Sequence, residues 1–569
     1  MTTSTRPWWR DAVVYQIYPR SFADANNDGT GDIPGMIARL DYLRDLGVNA
    51  VWVSPWYPSP MADGGYDVSD YCDIAPQFGT LADADAFLAG AHERGIRVLI
   101  DLVPNHCSVA HPAFQAALAA PPGSPERALF HFRDGRGPAG DEPPNNWGSL
   151  FGGPAWERVG GPDGRPGQWY LHMFAPEQPD WNWSNPAVVD LFDDVIRFWL
   201  DRGVDGLRVD VADGLAKDMS MPDVPVDPET GLGVASFYPG HPWWNQPELD
   251  TIQRHWRKIA DTYAERHLGE RIFVCEANTK PLDALMRFVD PGRMHTTFNF
   301  DMLWCEWEAG SLRAMIDRNL VAHSTVGAPT TWVLSNHDST RVATRYGKPE
   351  TGKPFTLDGT PREWRHRFAD YFAPMPTDTA LGLRRARAAA LLELALPGPA
   401  YIYQGEELGL PEVEDLPEEV LDDPSYFRTN GRVRGRDGCR VPLPWSGTRP
   451  PYGFGRDAEP WLPQPPAWAG LSAQAQDGDP DSTLSLYRRA LAVRATHPAL
   501  GDGTLAWGDE YPGRVLFFTR EPGFGCLVNL SPEPVALPEG STLLVASGPL
   551  QEGGVPTDTA AWVELPPVA

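Results

Sequence analysis

The chain has 569 residues, and its 48 Lys and Arg against 76 Asp and Glu give a formal net charge of −28. A surface that acidic repels phosphate backbones and anionic lipid, so neither a nucleic acid nor a membrane is expected as partner. With 42% hydrophobic residues the chain is no disordered polymer, and its 59 prolines and 55 glycines imply many turns around a large core.

Residues 1–10 lack a basic stretch followed by an apolar run, and no apolar run reaches the roughly 18–20 residues that span a bilayer. Cys72, Cys107, Cys275, Cys305, Cys439 and Cys526 are scattered, which predicts free thiols in a reducing cytoplasm.

In chain order, strand-like runs are expected at 13–18, 50–54, 98–103, 206–211, 272–276, 296–300, 332–335 and 400–403. Helix-like periodic segments follow them at 36–46, 84–94, 186–201, 249–267, 282–289, 312–323, 381–396 and 483–495. Eight short, apolar strands, each followed by a helix, predict an α/β fold: a closed (β/α)8 TIM barrel. An open doubly wound sheet is the alternative, but no Gly-rich dinucleotide turn follows any strand. Connections at about 107–185, 339–380 and 409–481 are too long for plain loops. The expected division is a barrel over 1–106 and 185–500, an inserted subdomain over 107–184, and a C-terminal antiparallel β domain over 501–569.

Carboxylates gather where these strands end. Asp101 lies in IDLVPNH, Asp210 in GLRVDVAD, Glu276 in FVCEAN and Asp338 in VLSNHDSTR, with His106, Arg208, His337 and Arg341 between them. One acidic residue at a strand end is an ordinary loop carboxylate; four on one barrel rim point to a site. Two chemistries fit them: hard-metal binding, or glycoside hydrolysis by a nucleophile and an acid/base.

The motifs resemble those of glycoside hydrolase family 13, the α-amylase superfamily, and within it the α-glucosidase and oligo-1,6-glucosidase branch, especially actinobacterial α-glucosidases. DLVPNH at 101–106, GLRVDVAD at 206–213, FVCEAN at 273–278 and SNHDSTR at 335–341 stand in the family's order. The branch segment QPDLNW reads QPDWNW at 178–183. The likeness runs from Val13 through QGEELGL at 404–410 to near the C-terminus.

This resemblance implies Asp210 as nucleophile, Glu276 as general acid and base, and Asp338 as the third carboxylate. It implies Arg208 beside the nucleophile, and His106 and His337 as donors to the bound glucose. It also implies a dead-end pocket walled by Asp63, Tyr66 and Phe174, with Arg440 pairing with Asp63. Asp24, Asn26, Asp28, the Thr30 carbonyl and Asp32 are the implied ligands of a structural, non-catalytic Ca2+, and Mg2+ is an alternative.

The activity expected is a retaining exo-α-glucosidase acting on maltose, malto-oligosaccharides and also isomaltose or sucrose. A transferring or isomerising enzyme on the same triad is the alternative. Departures from the branch at Cys275, Trp181, Asn278 and Thr279 lie near the leaving group. Val211, after the nucleophile, accompanies α-1,6 action in the branch, whereas ADGLAKD at 212–218 resembles enzymes that accept α-1,4 bonds. A non-catalytic transporter heavy chain and an enolase-like metalloenzyme fit poorly, and oligomeric state is not legible.

Overall fold

A computed structural model describes residues 6–160, 166–228, 230–235, 240–352, 375–511, 513–552 and 554–567. The parallel barrel strands are β1 Val13–Ile17, β2 Ala50–Val53 and β3 Arg97–Leu102, then, after a three-stranded insertion, β7 Gly206–Val209, β8 Ile272–Cys275, β9 Thr296–Thr297, β10 Trp332–Val333 and β11 Ala400–Tyr403. They pair in the order β10-β11-β1-β2-β3-β7-β8-β9. At the β9–β10 seam the Thr331 hydroxyl donates to the Thr297 carbonyl at 2.5 Å. This is the expected (β/α)8 barrel, and all eight strands fall within the expected runs or one residue outside them.

The helices form where apolar periodicity meets a capping residue. Pro186–Asp201 starts at Asn185, whose side chain takes the Ala187 N–H, with Pro at the first helical position. Leu81–Glu93 opens on a reciprocal Thr80/Asp83 capping box.

The insertion after β3 folds β4 Phe132–Arg133, β5 Trp156–Gly160 and β6 Pro166–Leu171 into an antiparallel sheet ordered β4-β6-β5. A fourth long connection, not among the three expected, runs over residues 212–248. It leaves β7 and packs on the insertion: Trp147 bridges to Gly233, and Trp243 meets Trp147 edge-on at 5.4 Å. At the C-terminus, β12 Ala506–Trp507, β13 Val515–Arg520, β14 Phe524–Asn529, β15 Thr542–Ala546 and β16 Thr559–Glu564 form an antiparallel sheet. It docks on helix Thr379–Ala395, where Trp562 donates to the Leu391 carbonyl at 3.0 Å. All six cysteines are free thiols. Among the described residues no helix is long and apolar enough to cross a membrane.

At the bottom of the barrel, buried Asp205 ties β3, β7 and β8 together. Its carboxylate accepts from the Val98 N–H at 2.9 Å and meets Arg97, Arg271 and His92 at 2.9, 3.3 and 2.7 Å. Burial works to raise its pKa, but these donors hold it below the ordinary carboxylate value. Its stabilising contribution is therefore present at neutral pH and is lost as pH falls through the acid range. Replacing Asp205 by Ala is expected to cost about 3 kcal/mol in urea unfolding at pH 7 and progressively less as pH falls below the ordinary carboxylate value, with kcat of the residual folded enzyme unchanged.

Candidate active site

The sheet register builds the centre of the site. Asp101 pairs with Arg208 across β3 and β7, and Arg208 pairs with Val274 across β7 and β8. Successive strand side chains alternate faces, so Arg208 and Asp210 point the same way, and Glu276 comes level with Asp210. The ladder continues past both strand ends: the Asp210 N–H donates to the Leu102 carbonyl at 2.9 Å, and the Glu276 N–H to the Val209 carbonyl at 3.0 Å.

One guanidinium then joins three carboxylates. Arg208 reaches Asp101 at 2.6 Å, Asp210 at 2.8 Å and Glu276 at 2.6 Å. Side-chain exposure rises from 0% at Asp101 through 9% at Asp210 to 19% at Glu276 and 35% at Asp338, which orients the opening of the pocket. Burial pushes the Asp210 carboxyl up. Arg208 opposes that push, while Glu276, which hydrogen-bonds to Asp210, and Asp101 add to it. Arg208 therefore orients the nucleophile candidate and opposes the push of burial on it.

Asp338 is the opposite case. Burial works against its charge, but His337, Arg436 and Arg440 hold it well below the ordinary value. Arg440 reaches it at 2.8 Å and Arg436 at 3.1 Å. His337 is pushed down to about 3, with burial the largest cause, and is a neutral ring at working pH. Its Nδ1 lies 2.7 Å from the Gln16 amide nitrogen and its Nε2 2.6 Å from the Tyr66 hydroxyl, which donates onward to Asp101 at 3.0 Å. That chain assigns the proton to Nε2.

The far wall differs from expectation. Asp63 pairs with Arg436 at 2.7 Å, not with Arg440, which turns to Asp338 instead. The two arginines flank the short 3-10 turn Asp437–Cys439, and both reach Asp338. The pairing with Asp63 expected of Arg440 is made by Arg436, four residues earlier. Gln178 completes the wall: its amide donates to Asp63 at 3.0 Å and lies 3.1 Å from Nε2 of His106. Phe174 packs on His106 with ring centroids 5.0 Å apart, and Tyr66 stacks on His337 at 5.3 Å. His106 is buried and pushed down to about 3, first by burial and then by Lys217.

Lys217 locks this wall to the barrel. Its ammonium is fully buried and meets Asp180 at 3.0 Å, the Asn105 side-chain oxygen at 2.6 Å and the Gly214 carbonyl at 2.8 Å. Arg436, Gln178 and Lys217 were not singled out from sequence. Gln178 lies in QPDWNW and Lys217 in ADGLAKD, and Arg436 lies four residues before Arg440.

The candidate metal loop carries oxygen donors only, the chemistry a hard cation takes. In this structure those donors serve the backbone. Asp24 accepts from the Asn27 and Gly29 N–H groups, Asp28 from Thr30, and Asp32 from Ala25, Asn26 and Gly35. Among the described residues no three His, Cys, Asp or Glu side chains are gathered as metal ligands. Asp32 caps helix Ile33–Ala38.

The family model described as "Alpha amylase, catalytic domain" matches residues 16–356 and 366–503. A "Probable alpha-glucosidase" of Rhizobium meliloti (strain 1021) is 37% identical over 541 residues, covering 93% of this chain and 90% of that protein. An "Oligo-1,6-glucosidase" of Parageobacillus thermoglucosidasius is 34% identical over 549 residues, covering 91% and 89%. Among solved structures, the alpha-glucosyl transfer enzyme XgtA superposes with a TM-score of 0.81 at 35% identity, covering 98% of this chain and 99% of that one. An isomaltulose synthase from Erwinia rhapontici NX5 superposes with a TM-score of 0.81 at 28% identity, covering 99% and 100%; that structure is described as a complex with its natural substrate, sucrose. The chain belongs to the α-amylase family of glycoside hydrolases, in its α-glucosidase and oligo-1,6-glucosidase branch.

Proposed function

We propose that this enzyme is a retaining, exo-acting α-glucosidase that removes single glucose units from the non-reducing ends of short α-glucosides. The observation that carries the reading is the pair Asp210 and Glu276, level on adjacent strands and bound to one guanidinium. Carboxyls that close suit nucleophile and acid/base of a retaining enzyme; an inverting pair leaves room for a water between them.

Asp210 attacks the anomeric carbon as Glu276 gives its proton to the departing oxygen. Glu276, now a base, takes a proton from water, which displaces Asp210. Glu276 is the more exposed of the two carboxyls and serves as the acid in this reading. Asp338, held ionised by Arg436 and Arg440, takes the hydroxyls of the bound glucose and favours its flattened, positively charged transition state. Proton NMR of the first glucose released from p-nitrophenyl α-glucoside is expected to show the α anomer; β-glucose first would contradict retention. Asp210→Asn is expected to lose turnover almost completely with the fold retained.

The Asp63–Arg436 pair and Gln178 close the far side of the glucose site, so products leave one glucose at a time. Arg436→Ala is expected to let maltose appear among the early products of maltoheptaose. Arg440→Ala is expected to lower kcat roughly 10²-fold with glucose still the sole product. Chromatography of the early products separates the two.

For linkage, Val211 is held at φ +48°, with its N–H donating to the Glu276 Oε2 at 3.2 Å, so it flanks the leaving-group side. A change of side chain there is worth about 1–3 kcal/mol, within reach of neighbours such as Asn278. Maltose is expected to be at least as good a substrate as isomaltose by kcat/KM. An isomaltose advantage above about tenfold, reversed by Val211→Thr, would overturn this.

A second reading, glucosyl transfer or isomerisation on the same triad, is favoured by the 35% identity to an enzyme described as transferring α-glucosyl groups. The ratio of transfer products to glucose from concentrated sucrose or maltose decides it. For the loop 24–32 we propose Ca2+ on its oxygen donors alone. Added Ca2+ is expected to raise the melting temperature and a chelator to lower it, with Mg2+ as the comparison; no shift with either ion would remove the cation.

A further inference from the structure

Glu276 stands one residue beyond β8, and residues 276–279 have no regular secondary structure. The position of the acid therefore depends on what grips this segment from outside the sheet. The grip comes from the turn that follows the nucleophile. Val211 enters the left-handed region at φ +48°, and the Gly214 N–H closes on the Val211 carbonyl at 3.0 Å. The turn folds Asp213 back toward the acid's segment.

Asp213 is 1% exposed. Its Oδ2 accepts the Asn278 N–H at 3.0 Å and the Thr279 hydroxyl at 2.8 Å. Its own carbonyl takes the Asn245 N–H at 2.8 Å, anchoring the turn from behind. On the near side the Ala212 N–H donates to the Glu276 carbonyl at 2.9 Å and the Val211 N–H to its carboxylate at 3.2 Å. The acid is thus held on both sides: by Ala212 and Val211 at its own residue, and by Asp213 two and three residues further on. Burial pushes the Asp213 carboxyl up to about 7 against the pull of its two donors.

We propose that Asp213 is a positioning residue for the general acid: by holding Asn278 and Thr279 it fixes residues 276–279 against the nucleophile's turn, so that the Glu276 carboxyl meets the leaving oxygen. Asp213 touches no reacting atom. The proposal rests on Glu276 being the acid.

The two donors share a single oxygen of Asp213, so a carboxamide placed with its carbonyl there keeps both bonds without charge. That makes Asp213→Asn the rescue variant and Asp213→Ala the loss. The two substrates are maltose, whose leaving alkoxide needs the proton, and p-nitrophenyl α-glucoside, whose leaving group hardly does. Asp213→Ala is expected to lower kcat/KM for maltose about 100-fold and for the aryl glucoside less than about fivefold, because a misplacement near 1 Å costs about that much where the proton is in flight. Asp213→Asn is expected to stay within about threefold of wild type on both.

Equal losses on the two substrates, no loss in Asp213→Ala, or an Asn variant as damaged as the Ala variant would each overturn the proposal. Glu276→Gln, run alongside, must itself lose maltose far more than the aryl glucoside. If it does not, Glu276 is not the acid and both readings fall; if it does and Asp213→Ala does not follow it, the positioning role alone falls.

Discussion

The site depends on one buried guanidinium. Arg208 is 2% exposed, and it carries charge there only because Asp101, Asp210 and Glu276 surround it. Burying a charge is costly unless it is paired and hydrogen-bonded, and three carboxylates around one cation leave a net negative cluster. Burial, Glu276 and Asp101 push the Asp210 carboxyl up while Arg208 opposes them, so one cluster sets both the place and the charge of the nucleophile candidate.

The rest of the molecule keeps this cluster small and dry. The barrel supplies Asp101, Arg208, Asp210 and Glu276 from three adjacent strands, and rigid ladder bonds run on beyond the strand ends. The walls come from segments distant in sequence. Asp63 and Tyr66 follow β2, Gln178 and Phe174 lie after β6, and Arg436 and Arg440 follow β11. Lys217 binds the wall to the barrel through Asp180 and Asn105. Arg436 then touches Asp63, Asp338 and Asp423 together, so the shape of the pocket and the charge of its third carboxylate are set by the same side chain.

The barrel is readable because its strands are buried save for Arg97 and its helices recur with apolar periodicity, and the residues around Arg208 are readable because strand periodicity and ordered motifs place them on one rim. What was misread lies in irregular chain. The described residues of 212–248 form no regular helix or strand, so no periodicity marks the packing of Met221, Val224, Trp243 and Trp244 on Trp147 and Trp156. Arg436 and Arg440 are equivalent by composition; only the turn at Asp437–Cys439 tells which reaches Asp63. Asp213 looked like a residue of a motif, and its role exists only once Val211 turns the chain back on the acid. The long connection expected at 339–380 falls partly on residues 353–374, which lie outside the described residues.

The most direct test of the account is to trap the glycosyl-enzyme. Incubation with 5-fluoro-α-glucosyl fluoride, intact-mass measurement and peptide mapping are expected to show one fluoroglucosyl unit per chain, esterified to Asp210. A label on Glu276 or Asp338, or turnover of the reagent with no covalent species at any time point, would contradict the assignment of nucleophile and acid on which the account stands.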